Sequence, residues 1–421
     1  MTEAAGPGGP SSGTGEGRHL KVAMYSGIVV RRDAVSWSLL HKLAALRRLI
    51  ALGAPIDVTV FAQSIEDQEP EFVCCPSVAK LLARPEFWEA DLHIYEEGMY
   101  YELFDSVYLV ELDRPILAIE HNSTPAALVD VPPARLAVER SHAQRRNLVR
   151  ATRVACVSEL NVEMARSAGV PEEAISVLHL PPAIVPIGPV PPLAEGRGPI
   201  RLLYLGRFVR AKGIADMVEL TTRLVTDHPG RFHVTLAGDP RFSDAALLEA
   251  ATGLAESNPD QVELVLAPDD AAMAGLFGRS DALVIPSYHE GYCVPVVEAL
   301  GFGRFVVAYA AGNLPNIVGG LGLLVPTGDV GALGDAVLEL ANAIDSLRSG
   351  GEATVPTAQG PMTAEGWSAA VRRHLGDYSA ANFERRFLSL FEDLALGSPA
   401  GRGPELDRAI TKRRHQLAGV D

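Results

Sequence analysis

The chain has 421 residues, which at roughly 150 residues per domain allows two or three domains with substantial cores. Hydrophobic residues make up 48% and charged residues 21%, the balance of a globular protein, which excludes global disorder and collagen-like repeats. The formal charge of −15 disfavours nonspecific nucleic-acid binding, because neutralising phosphates needs a net basic face, but it leaves room for a small phosphate-bearing ligand that needs only a local basic cluster.

Residues 1–19 (MTEAAGPGGPSSGTGEGRH) lack the charged and apolar regions of a signal peptide and read as a disordered tail of a cytoplasmic protein. LKVAMY (20–25), closed by Ser26-Gly27, reads as the first strand of an α/β domain. A helix is expected over 35–52, where Leu39, Leu40, Leu43, Leu46 and Ile50 recur at helical spacing and Gly53 stands where a C-cap would. IDVTVFA follows as a strand, short elements lead to Ala118-Ile119-Glu120, and the alternation continues through ATRVACVS and a helix after Ser158 to VLHLP. This first unit spans 20–182. The composition then turns to PPAIVPIGPVPPLAEGRGP, which cannot carry a ladder or a helix, so 183–199 reads as an interdomain linker.

A second series fills 200–375: IRLLYLG, RFHVTLAG, QVELVLA, ALVIPS, RFVVAY and LGLLVP are apolar, mostly β-branched runs of the kind found in buried parallel sheets. Residues 343–367 interrupt it and read as a surface insertion. A helix within 376–398 presents Phe383, Phe387, Leu390, Phe391 and Leu394 on one face, and 399–421 read as a second tail. Two facing Rossmann-like domains result, with ligands expected between them at the carboxyl ends of the strands. The four cysteines, Cys74, Cys75, Cys156 and Cys293, form neither a disulfide framework nor a zinc spacing and read as buried thiols.

Two segments carry chemistry. PSYHEGYCVPVVEAL (286–300) follows a strand directly. Gly291 permits a tight turn, Pro295 suits the first turn of a helix, and Glu298 falls about one turn into it. The N–H groups of Tyr292, Cys293 and Val294, with the helix dipole behind them, would attract phosphate oxygens, and a carboxylate on that turn would accept hydrogen bonds from a vicinal diol. YLGRFVRAKG (204–213) also follows a strand. On the loop that begins at Gly206, Arg207 and Lys212 can clamp a diphosphate and stabilise charge on a departing phosphate. Arg210 either joins this cluster or faces water.

Together these segments resemble the retaining GT-B glycosyltransferases of glycosyltransferase family 4 (glycosyl transferases group 1). The Glu-Gly-x-x-x-Pro-x-x-Glu signature stands as EGYCVPVVE, Gly-Arg-(x)4-Lys-Gly as GRFVRAKG, and GLLVPTGDVGAL is similar to the closing loop. The resemblance implies a nucleotide-diphosphate sugar donor, with uridine or guanosine the usual base, bound mainly by the second domain without a metal or other cofactor. Arg207 and Lys212 would hold its diphosphate, Glu298 its ribose, and Glu290 the transferred sugar. His121, in AIEHNSTP, would face that sugar from the first domain, and the 376–398 helix would cross back onto the first domain. Transfer would go with retention to a glycan, glycolipid or small-molecule hydroxyl. The chain departs from the family's pattern at three points: Gly27 stands where paired glycines often lie near the donor phosphate, HLPP replaces Asn-Gly before the linker, and Asn316 replaces an acid.

Two other readings stay open: a hydrolase using Glu290 and Glu298 as a carboxylate pair, and a noncatalytic nucleotide-sugar-binding module. An NAD-dependent enzyme is disfavoured because neither leading strand is followed by Gly-x-Gly-x-x-Gly. Six arginines over 135–153 against Glu139 alone, and the basic excess over 31–48, suit an acceptor phosphate or weak contact with an anionic membrane surface, or simply a solvated face.

Overall fold

The computed structural model describes residues 18–30, 33–186, 198–241, 243–350, 354–398 and 400–419. The tail expected at 1–19 lies outside these except for Arg18 and His19, as does the linker between 187 and 197.

The first domain is a parallel sheet flanked by helices. Its elements are β1 (Leu20–Val29), α1 (Ala34–Ala51), β2 (Ile56–Ile65), β3 (Phe72–Cys74), the short helices α2 (Val78–Leu82) and α3 (Pro85–Glu89), β4 (Leu92–Glu97), β5 (Ile116–Glu120), α4 (Pro132–Gln144), β6 (Arg153–Cys156), α5 (Glu159–Ser167) and β7 (Ile175–Val177). The seven strands lie in the order β3-β2-β1-β4-β5-β6-β7. Asp33 starts α1 by accepting a hydrogen bond from the Ser36 N–H, and Gly53, at φ 92, ends the turn after the helix. Alternation along β4 and β5 sends Ile94, Leu117 and Ile119 towards the α1 layer and Tyr95 and Ala118 into a separate core on the opposite face.

The second domain repeats the plan with β8 (Ile200–Leu205), α6 (Ile214–Asp227), β9 (Phe232–Gly238), α7 (Ala245–Ser257), β10 (Val262–Leu266), α8 (Asp270–Arg279), β11 (Ala282–Ile285), α9 (Val294–Gly301), β12 (Phe305–Tyr309), α10 (Leu314–Val318), β13 (Leu323–Val325) and α11 (Val330–Arg348). Its order is β10-β9-β8-β11-β12-β13, that of a doubly wound nucleotide-binding sheet. Each of the six apolar runs forms one of these strands. In both sheets the strand order reverses beside the first strand of the domain, and the carboxyl ends there face the cleft between the domains.

Three expectations are corrected. β1 does not close at Ser26-Gly27 but runs on to Val29, and Gly27 lies inside it under Tyr101, whose Cβ would stand 3.0 Å from a Cβ at this position. Packing against Tyr101 accounts for the glycine, and no loop is present there. Residues 343–367 are not a loose insertion: α11 continues through Arg348, β14 (Thr354–Val355) pairs antiparallel with β15 (Met362–Thr363), and α12 (Ala364–Gly376) begins within the segment. Buried Trp367 donates from Nε1 to the Leu321 carbonyl at 2.7 Å and ties α12 to the second domain. The helix expected within 376–398 is α13 (Ala380–Leu396), but the expected tail after it contains a further helix, α14 (Pro404–Ala418), with Leu406, Ala409, Ile410 and Leu417 buried.

α13 and α14 both pack on α1. Glu384 of α13 accepts from Arg48 of α1 at 2.9 Å and from Arg413 of α14 at 2.6 and 2.8 Å, so the end of the chain is fastened to the first domain. Through Phe383, Phe387 and Leu180 the α1-side core runs without a break into the core of the second domain. No helix among the described residues is long and apolar enough to cross a membrane.

Candidate active site

The loop after β11 turns sharply. Cys293 takes a left-handed conformation at φ 77 immediately before α9, which carries Pro295 in its first turn. The loop after β8 packs against it so closely that a Cβ on Gly213, at φ 65, would stand 1.7 Å from the Pro286 carbonyl oxygen. Only glycine fits there. A backbone hydrogen bond from Tyr288 to Ala211, at 2.9 Å, joins the two loops.

This packing brings Lys212 and Glu290 together. The Lys212 ammonium donates to both Glu290 oxygens, at 2.7 and 2.8 Å, and Ser287 Oγ donates to the same carboxylate at 2.8 Å. Glu290 is buried, while Lys212 is about a quarter exposed and keeps an open side. Arg207 is exposed at the mouth of the same loop, with its carbonyl held by Tyr204 OH at 3.0 Å. Arg210 is not part of the cluster: it reaches across to Asp130 of the first domain at 3.1 Å.

Glu298 lies one turn into α9 but points at the linker. Its Oε1 accepts from the Ile184 N–H at 2.9 Å, and only 3% of the residue is exposed. Burial pushes its carboxyl up to about 7, although the linker amides pull the other way. Tyr292 holds the same chain segment through a hydroxyl bond to the Leu180 carbonyl, and Cys293 is a buried thiol whose proton loss burial opposes strongly. Glu290 and Glu298 therefore have different partners, Lys212 and the linker backbone, unlike two carboxyls flanking one bond.

The first domain contributes the opposite wall. His121 follows β5, and its Nε2 lies 2.7 Å from Glu96 Oε2. Lys42 of α1 lies 2.9 Å from the other Glu96 oxygen, and both of these side chains are fully buried. Burial alone would raise the Glu96 carboxyl, but Lys42 and His121 outweigh it and hold Glu96 below the ordinary range. The carboxylate thus stays charged and orients the imidazole. Sequence reasoning missed Glu96 and Lys42, although a lysine between Leu39 and Leu46 on an apolar helical face was a visible signal.

Asn122 and His289 were also missed. The Asn122 amide donates to His289 Nε2 at 2.8 Å across the cleft, and burial lowers the His289 pKa, which suits a neutral accepting ring. Beside them, a Cβ on Gly291 would stand 2.5 Å from Asn122 Nδ2, so the glycine lets the domains meet. Behind this wall Glu97 and Glu120 lie side by side in register. Burial pushes both carboxyls up, Arg145 and Asn161 hold Glu120, and neither Glu97 oxygen has a hydrogen-bond partner among the described residues.

Residues 199–343 match the family described as glycosyl transferases group 1. This segment is a group 1 glycosyltransferase domain. Among curated relatives, the chain is 25% identical over 212 residues to a D-inositol 3-phosphate glycosyltransferase of Rhodococcus erythropolis, covering 49% of this chain and 44% of the relative. It is 29% identical over 189 residues to a glycogen synthase of Mycobacterium tuberculosis, covering 45% and 37%. The chain thus spans under half the length of these relatives. Among solved structures, a glycosyltransferase from Rickettsia africae aligns with TM-score 0.62 and 14% identity over 90% of this chain and 98% of that one. Anabaena HepE in complex with UDP-glucose aligns with TM-score 0.61 and 15% identity over 89% and 100%. The architecture is GT-B, and the group 1 domain is its second half.

Proposed function

We propose that the protein is a retaining glycosyltransferase that moves a sugar from a nucleotide-diphosphate sugar to an acceptor hydroxyl. The observation that carries this reading is the Lys212–Glu290 pair, with Arg207 beside it, at the carboxyl ends of the second sheet and opposite His121. Lys212 and Arg207 supply positive charge where a diphosphate would depart, so the chemistry does not require a metal ion. His121, fixed by Glu96, and Glu290 position the sugar. The acceptor attacks on the face the diphosphate leaves, and a phosphate oxygen takes its proton; Glu290, held by Lys212, is a positioning group and not a nucleophile. Glu298, whose carboxylate also accepts from the linker backbone, contacts the ribose.

The donor is a uridine or guanosine diphosphate sugar, in keeping with the UDP-glucose bound by the HepE neighbour. The acceptor is a carbohydrate, a lipid-linked glycan or a small molecule, and a cytoplasmic enzyme in peripheral contact with a membrane fits all three. Thermal-shift screening against UDP, GDP and ADP, followed by donor hydrolysis with the best sugar nucleotide, tests the reading. Stabilisation by one diphosphate and its release from the matching donor are expected. If no nucleotide stabilises the protein, the reading fails. If donors bind but no panel of acceptors ever turns over, the noncatalytic module replaces it.

A further inference from the structure

Strands of a doubly wound sheet are apolar on both faces because helices cover each side. One corner of the second sheet departs from this. The register pairs Arg201 of β8 with His233 of β9, and Thr235 of β9 with Glu263 of β10, so these side chains share one face of the sheet. With Arg279 at the end of α8 they line a cavity of about 660 Å³. It lies towards the amino ends of the strands, whereas Glu290 and Lys212 lie beyond the carboxyl ends.

Five of its polar side chains fall into two sets, and Thr252, Glu256 and Ser280 also line the cavity. Thr235 Oγ1 and the Arg279 guanidinium both donate to Glu263 Oε2, at 3.2 and 2.6 Å, which leaves Oε1 to accept another bond. Arg201 and His233 are half-buried residues, and neither side chain has a hydrogen bond or ion pair among the described residues; Arg201 bonds Asp281 only through its backbone N–H. A half-buried guanidinium without a partner loses water contacts and regains nothing from the protein. Its planar fork matches a phosphate or carboxylate. Burial lowers the His233 pKa, despite the opposing pull of Glu263, so the ring is neutral near pH 7 and suits a hydroxyl better than a second anion. One anion-binding fork next to a neutral ring and a carboxylate oxygen is the complement of a polyol that carries a single negative group.

We propose that this cavity is a second binding site, separate from the cleft, for an anionic sugar whose phosphate or carboxylate rests on Arg201 while its hydroxyls reach His233 and Glu263. Its volume falls within the range of about 300 to 1,000 Å³ common to small-molecule sites. The inference does not rest on the glycosyltransferase reading, because no group of the cleft takes part.

Isothermal titration of the full chain tests it, with glucose 6-phosphate, glucuronate, glucose and inorganic phosphate as probes, each with and without saturating UDP. Binding of glucose 6-phosphate or glucuronate is expected, at least tenfold tighter than glucose or inorganic phosphate and unchanged by UDP; the tighter of the two identifies the anion. Arg201→Gln should weaken it at least tenfold and His233→Ala severalfold, while Lys212→Ala leaves it intact. Loss of binding in Lys212→Ala, displacement by UDP, or equal affinity for inorganic phosphate would overturn the proposal. So would the absence of binding, or wild-type affinity in both cavity variants. If Arg201→Gln unfolds, His233→Ala decides alone.

Discussion

Replacing Glu298 by Gln removes a buried carboxylate but keeps an oxygen that can accept from Ile184. The group's folded-state value of about 7 lies above the ordinary value of 4.5, so the native protein binds this proton more tightly than the unfolded chain does. The associated stability is complete below the ordinary value and is lost as pH rises through the folded value. Integrated from pH 5 to pH 8, a difference of this size corresponds to about 2.5 kcal/mol lost by the wild type and not by the variant. Glu97 and Glu120 titrate in the same direction, but they are common to both proteins and cancel in the difference. Melting temperatures of wild type and Glu298→Gln, measured by circular dichroism at half-unit steps over this range, should match closely at pH 5 and diverge by several degrees in favour of the variant by pH 8. A constant gap across that range refutes the argument, because it means that Glu298 ionises as freely in the folded protein as in the unfolded one. Weaker nucleotide binding by the same variant is expected, whereas Glu298→Ala that binds UDP or GDP like the wild type removes the ribose role.

Lys212→Met leaves Glu290 buried without its cation, so donor hydrolysis should fall at least a hundredfold, and stability, measured by urea unfolding, should fall by about 2 kcal/mol, a figure tempered by the partial exposure of Lys212. Lys42→Met strands Glu96 in the core and should cost about 3 to 5 kcal/mol in the same measurement, and Lys42→Met/Glu96→Gln should recover part of that loss. Glu96→Gln alone should lower turnover more than donor affinity, since it frees the His121 ring; equal effects on both would reduce Glu96 to a structural role. Gly291→Ala forces a methyl group against Asn122, so turnover should fall severalfold and recover in Gly291→Ala/Asn122→Gly.

The fold was legible because its signals are local. The six strands of the second domain are continuous apolar runs, and the α1 helix carries both its periodicity and its Asp33 cap. The loops bearing Arg207, Lys212 and Glu290, and the start of α9 bearing Glu298, were legible for the same reason, as glycine and proline punctuate two strand-to-helix turns. The missed features depend on distant partners. α14 has a low apolar content, and only docking on α1 and α13 explains its burial. Gly27 was open to reading as a loop glycine until Tyr101 was placed over it.

The same distinction separates what these side chains can do alone from what the tertiary structure has them do. A glutamate four residues after a helix begins is positioned for a diol wherever that motif occurs, yet here its carboxylate also holds the linker between the domains. Tyr292, six positions earlier, grips the chain just before that linker, at Leu180 of the first domain. A ligand that bonds to Glu298 therefore competes with, or strengthens, the contact that fixes the domains relative to each other, because a carboxylate accepting more hydrogen bonds holds its charge more readily. If Glu298 holds the ribose as proposed, donor binding and the Ile184 contact are coupled through one ionisable group. The bond to Ile184 belongs to this chain's linker, and no motif spacing within the second domain could have revealed it.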